Sequence, residues 1–222
     1  MTEHVSFPSN GHQADGVLVG EGPGIILIQE WWGLNDHIVD LAGRLAAEGF
    51  TVLAPDLYHG AVTGEPDEAG KLMMGLAMDT AAKDIAGAAE FLSERAKSPR
   101  IGAVGFCMGG SLALWSATLS PRVVAAVGFY PGLPWERMSP TWADYVGKAA
   151  LIHAAEGDGG TQASGVQQAV KAITGAGGTV ELHDYPGTEH AFVNDTRPEV
   201  HDSEAASTAL HRTVEFLRGR LS

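Results

Sequence analysis

The chain has 222 residues, 45% of them hydrophobic, enough for one sizeable core. Its 14 basic and 27 acidic side chains leave a net charge of −13, which argues against nucleic acid or an anionic membrane as a main partner. One cysteine forbids an internal disulfide, no apolar run reaches membrane-spanning length, and Met1-Thr2-Glu3-His4 is no secretory leader, so a cytoplasmic location is expected.

Extended and helical patterns alternate from the start. Residues 5–7 and 16–19 read as short strands. Residues 24–29 (GIILIQ) are continuously apolar, as in a strand covered on both faces. Asp36 is expected to cap a helix over 37–48, which Gly49 ends. Residues 51–54 form the next buried strand, stopped by Pro55-Asp56. Asp79 or Thr80 caps a helix running to about Arg95, with Ile85, Ala88, Ala89 and Leu92 on one face. A strand over 101–106 leads into a helix over 108–118, and 125–130 and 149–154 are further strands. A helix near 162–174, a strand over 180–185 and a helix over 203–221 complete the pattern.

This alternation predicts one α/β domain over 1–222, a mostly parallel twisted sheet with helices on both faces and right-handed crossovers. Two segments are read as loop insertions. Residues 58–75 are rich in glycine and acid, and 130–147, with two tryptophans and three prolines, is expected to rim the site.

The chemistry gathers at Val104-Gly105-Phe106-Cys107-Met108-Gly109-Gly110. A cysteine between strand and helix, flanked by glycines two positions away on each side, has the pattern of a nucleophile elbow. A chain reversing this sharply needs small neighbours, and the following helix N-terminus favours a thiolate. In parallel sheets ligands sit beyond the carboxyl ends of the strands. Glu30, Cys107, Asp158 and His190 all fall there. The order Cys, Asp, His is that of an α/β-hydrolase triad. Cys107 attacks an acyl carbon, His190 handles protons, and Asp158 fixes the imidazole, with Glu156 and Asp184 as substitutes for the acid. Backbone N–H groups of Met108 and Trp31 are candidates for the oxyanion. Glu30 has two opposed effects: charged, it opposes a thiolate, and it also accepts the thiol proton. Trp31, Trp32, Tyr58 and Phe192 are candidate pocket residues, with ordinary packing for at least one of them. His153, inside an apolar strand, reads as a core histidine. His183 and His201 fit no ligand spacing, so no metal and no cofactor is expected.

These motifs resemble the dienelactone hydrolase family. The likeness rests on Gln29-Glu30-Trp31-Trp32-Gly33-Leu34-Asn35, Pro55-Asp56-Leu57-Tyr58, the elbow, Gly157-Asp158 and His190-Ala191-Phe192, over nearly the whole chain. It implies an α/β-hydrolase fold and hydrolysis of an enol lactone through an acyl-enzyme on Cys107, with His190 and Asp158 as partners. It also implies that Glu30 takes the thiol proton when substrate binds. The family holds its substrate carboxylate with two arginines. One position is Asn194 here, and no arginine lies between Tyr58 and Lys83, which leaves Lys71 and Arg197 as replacements. The expected partner is a small ester or lactone, and a monomer suits this size. Two rivals stay open: a glutaminase-type or chaperone-like thiol hydrolase, and a non-catalytic ligand-binding or redox-sensing module. Phe192, where amidotransferases carry glutamate, counts against the glutaminase.

Overall fold

A computed structural model describes residues 2–96 and 98–221. The strands are β1 (Thr2–Ser9), β2 (His12–Val19), β3 (Gly24–Ile28), β4 (Thr51–Pro55), β5 (Ile101–Phe106), β6 (Val123–Phe129), β7 (Ala149–Ala155) and β8 (Thr179–Tyr185). The helices are α1 (Asp36–Ala47), α2 (Pro66–Gly75), α3 (Met78–Arg95), α4 (Met108–Leu119), α5 (Ser164–Gly175) and α6 (Ser203–Leu221). The strands make one eight-stranded sheet in the order β1-β2-β4-β3-β5-β6-β7-β8. The β1–β2 hairpin and the β2–β4 pair are antiparallel, and every pair from β4 through β8 is parallel.

Both faces of the sheet are covered, which explains the unbroken apolar runs. Along β3, Ile26 and Ile28 pack with Ile85 and Leu92 of α3 and Leu112 of α4, while Ile25 and Leu27 pack with Leu41 and Leu45 of α1 and Leu217 of α6. All four β3 side chains are fully buried. Each contributes about 1.5–3 kcal/mol by leaving water. No helix among the described residues is long and apolar enough to cross a membrane.

The element pattern follows the expected α/β-hydrolase architecture, with local corrections. The cap of α1 is Asn35, whose side chain accepts from the Ile38 N–H at 3.2 Å; Asp36 is the first helical residue, where its charge complements the helix dipole. Helix α3 starts at Met78, and neither Asp79 nor Thr80 caps it. The hairpin strands are eight residues each, longer than the sequence suggested. The segment 58–75 is not all loop, since it contains α2. Pro66 opens that helix and Asp67 and Glu68 fill its first turn, the ordinary signals of a helix start. Its other end is closed from outside: the Arg137 guanidinium donates to the carbonyls of Met73 at 2.9 Å, Met74 at 3.2 Å and Leu76 at 3.3 Å. Arg137 lies in the 130–147 segment, which forms two short 3₁₀ turns and is pinned by the buried Tyr145 hydroxyl donating to the Leu114 carbonyl at 2.6 Å.

Candidate active site

Cys107 links β5 to α4 with φ 55° and ψ −119°. A residue with a Cβ sits in that region at a cost of about 1–3 kcal/mol. Neighbouring backbone holds it there. Its N–H donates to the Phe129 carbonyl at 3.0 Å, and its carbonyl accepts from Gly110 at 3.0 Å and Gly132 at 3.1 Å. The flanking glycines are steric necessities. A Cβ at Gly105 would strike the Gly109 carbonyl, and one at Gly109 would strike the carbonyls of Ile28 and Gln29. Strand β3, strand β5 and helix α4 therefore meet at backbone distance, and the thiol is left partly exposed at the rim.

His190 stands in the loop after β8, and Asp158 in the short turn after β7. Their contact, Nδ1 to Oδ2, is 2.7 Å. Burial disfavours the charged ring, but hydrogen bonds and charge from Asp158 and Cys107 outweigh it, and His190 is pushed up to about 10. Asp184 and Glu156 are engaged elsewhere: Asp184 accepts from the Thr161 N–H at 3.3 Å and Glu156 from the Gly187 N–H at 2.6 Å. Of the three candidate carboxylates, Asp158 is the one on the imidazole.

Glu30 follows β3 and is only 2% exposed. Burial pushes its carboxyl above the ordinary range, against the opposing pull of Asn194 and of the His190 and Arg197 charges. The Asn194 amide donates to Oε2 at 3.0 Å. Asn194, placed by sequence in the substrate pocket, is 2% exposed and acts on Glu30 instead. Met108 is the first residue of α4, so its N–H has no partner within the helix. Trp31 and Trp32 are half-buried in the turn after β3, rings edge to face at 4.9 Å. Tyr58 closes another side, its hydroxyl donating to the Met108 sulfur at 3.3 Å. Burial first, and the Cys107 charge second, push that phenol up.

One further pocket expectation needs correction. Phe192 is fully buried between Tyr130 and Tyr185, at 5.4 and 4.9 Å between ring centres, so it packs the core. Lys71, on α2 with its Nζ 2.7 Å from Glu68, lines a cleft of about 340 Å³ together with Leu57, Tyr58 and Leu76. Arg197 pairs with Glu199 at 2.9 Å. The sequence reading missed Tyr130 and Gly132. The Tyr130 ring lies edge-on to His190 at 5.0 Å. Gly132 is exposed between the thiol and the ring: a Cβ there would be 3.6 Å from both Cys107 Sγ and His190 Cε1. A cleft of about 530 Å³ opens beside it, lined by Tyr130, Gly132, Asp158, Val166 and His190. The available signal was Pro131-Gly132 directly after a buried strand. Ser111 ties this wall to α4, accepting from the Leu133 N–H at 2.9 Å and donating to its carbonyl at 3.1 Å.

Residues 13–221 match the model of the dienelactone hydrolase family. The chain belongs to that family. "Protein usf" of Aquifex pyrophilus is 35% identical, with 100% of each chain covered. A protein of Aquifex aeolicus named "Putative carboxymethylenebutenolidase" is 33% identical over 98% of each. Among solved structures, one titled "Putative Dienelactone Hydrolase" from Klebsiella pneumoniae superposes with a TM-score of 0.81 at 26% identity, covering 98% of each chain. As a dienelactone hydrolase family member the chain is an ester or lactone hydrolase.

Proposed function

We propose that this enzyme hydrolyses uncharged esters and lactones with good leaving groups through an acyl thioester on Cys107. The observation that carries the reading is the 2.7 Å contact of Asp158 with His190, on a ring that also feels the Cys107 sulfur. With Nδ1 held by Asp158, Nε2 is the nitrogen left for the thiol. The thiol proton passes to His190, whose raised proton affinity favours an imidazolium–thiolate pair, sulfur attacks the acyl carbon, and the oxyanion takes the N–H groups of Met108 and Trp31. The C–O bond then breaks, and His190 gives its proton to the leaving alkoxide or enolate. A water, deprotonated by the now neutral His190, attacks the thioester carbon and releases the acid and the thiol.

Glu30 suits the role of reserve acceptor because burial raises the proton affinity of its carboxylate. The preference for an uncharged acyl group rests on the cations. Lys71 is paired with Glu68 on the surface, Arg197 with Glu199, and the residue facing Glu30 is the amide Asn194. A nucleophile that must stay a thiol fits a reducing compartment, so we assign the enzyme to the cytoplasm.

The test is turnover of p-nitrophenyl acetate and of enol lactones with and without a carboxylate. Cys107→Ala is expected to lower kcat/KM by about 10⁴-fold or more. Mass spectrometry of quenched wild-type enzyme should find one acyl group on the Cys107 peptide. Undiminished turnover by Cys107→Ala would reject the thioester, and faster turnover of the charged lactone would reject the substrate preference.

A further inference from the structure

Away from the thiol, three side chains from distant parts of the chain converge at the edge of the sheet. His12 opens β2, His59 follows β4, and Asp84 lies on α3. One ligand atom from each lies within 4.8 Å of the others. His12 Nε2 is 2.7 Å from Asp84 Oδ1, and His59 Nε2 is 3.5 Å from Asp84 Oδ2.

Asp84 is 0% exposed, which is rare for a carboxylate. The Ser9 hydroxyl donates to Oδ1 at 2.5 Å, but among the described residues no hydrogen bond reaches Oδ2. A buried carboxylate oxygen without a donor is costly. The plain alternative is a surface ion pair with His12. It leaves the bare Oδ2 unexplained, and it leaves a second imidazole nitrogen turned to the same carboxylate without hydrogen-bond geometry. Two imidazole nitrogens facing one carboxylate serve as donors only if both rings carry their protons there. With their lone pairs inward they need a cation between them.

We propose that His12, His59 and Asp84 bind a divalent transition ion of zinc type. Two imidazoles and a carboxylate are a common borderline donor set for such ions. Tetrahedral bonds of about 2.0–2.2 Å put ligand atoms about 3.3 Å apart. The two histidine–carboxylate contacts, 2.7 and 3.5 Å, bracket that spacing, and all three ligand atoms lie within 4.8 Å of one another. The Ser9 hydroxyl fixes Asp84 as an outer-shell partner of a ligand does. Both rings are partly exposed, 36% for His12 and 48% for His59, leaving the remaining positions to water. The ion ties together the β1–β2 hairpin, the turn after β4 and α3. It also anchors Tyr58, the neighbour of His59, whose hydroxyl reaches Met108 beside the nucleophile.

The test is titration of the chelator-treated full chain with ZnCl₂, followed by calorimetry and thermal unfolding. One equivalent should bind, and a hundredfold excess over Kd should raise Tm by roughly 5–10 °C. The same rise is expected in Cys107→Ala, which removes the competing thiol, and a Co²⁺ complex should lack a thiolate charge-transfer band. His59→Ala should weaken binding at least tenfold, and His12→Ala/His59→Ala should abolish the Tm response. Both rings are on the surface, so these variants should fold, which the metal-free Tm checks; if the double variant does not, His12→Ala and His59→Ala alone make the same comparison. No response in the wild type, an unchanged response in the histidine variants, or its loss in Cys107→Ala would each overturn the site.

Discussion

Two histidines show how partners, rather than burial, decide what an imidazole does. His153, on β7, is 0% exposed. Its Nδ1 is 2.8 Å from the Tyr185 hydroxyl and its Nε2 3.0 Å from the Thr213 hydroxyl. Burial, with the nearby His183 and Arg212, pushes it well below the usual histidine range. Burial acts in the same direction on His190, yet the Asp158 carboxylate and the Cys107 sulfur reverse the outcome. Neutral hydroxyls hold a neutral ring as a structural strut. Charged neighbours hold a ring ready to carry a proton.

The contrast makes opposite demands on matched variants. His190→Gln should lower kcat/KM by about 10³–10⁴-fold while leaving Tm within about 2 °C. His153→Gln should leave the rate within about threefold but lose two buried hydrogen bonds, about 2–3 kcal/mol, for a Tm decrease of roughly 5–10 °C. If His153→Gln proved the inactive one, the assignment of roles would be reversed. Glu30 offers an intermediate case, a buried acid whose carboxylate accepts from an amide. Glu30→Gln keeps the shape and removes the proton acceptor, so kcat should fall by about 10–100-fold with Tm equal or higher; unchanged kcat would leave His190 as the sole acceptor.

The smallest effect lies in the pH dependence of stability, where the two rings should act with opposite slopes. His190 is raised from 6.5 to about 10, so its contribution is complete below pH 6.5 and is lost as pH rises through about 10. The contribution is modest, because the ring is 35% exposed and screened by water. His153 is lowered from 6.5, so its contribution is complete above that value and is lost as pH falls. Urea midpoints across this range should lose the alkaline decline in His190→Gln and part of the acid decline in His153→Gln. Glu30, raised above 4.5, runs against His153 in acid, since its contribution is lost as pH rises.

The strands around the nucleophile were legible because both faces of the sheet are covered, so β3 and β5 carry apolar residues at every position that has a side chain. The elbow was legible because its spacing is a local steric requirement. Helix α2 was not. It buries only Ala69, contains two glycines, and owes its closed end to Arg137, more than sixty residues away. Asn194 was located by its distance from His190, but its partner Glu30 is 164 residues away and could not be read from spacing. The same holds for His12, His59 and Asp84, which share no motif and meet only because β2 pairs with β4 while α3 packs on the β1 hairpin.

Gly132 carries an implication for how this catalyst can be retuned. Its backbone lies outside the left-handed region, and an added methyl would rest at ordinary van der Waals distance from the sulfur and the imidazole edge. Gly105 and Gly109 offer no such freedom, since any substituent there meets main chain. Selection for a narrower substrate can therefore act through a single codon at 132 without disturbing the fold, making that position a direct route by which the scaffold changes its diet.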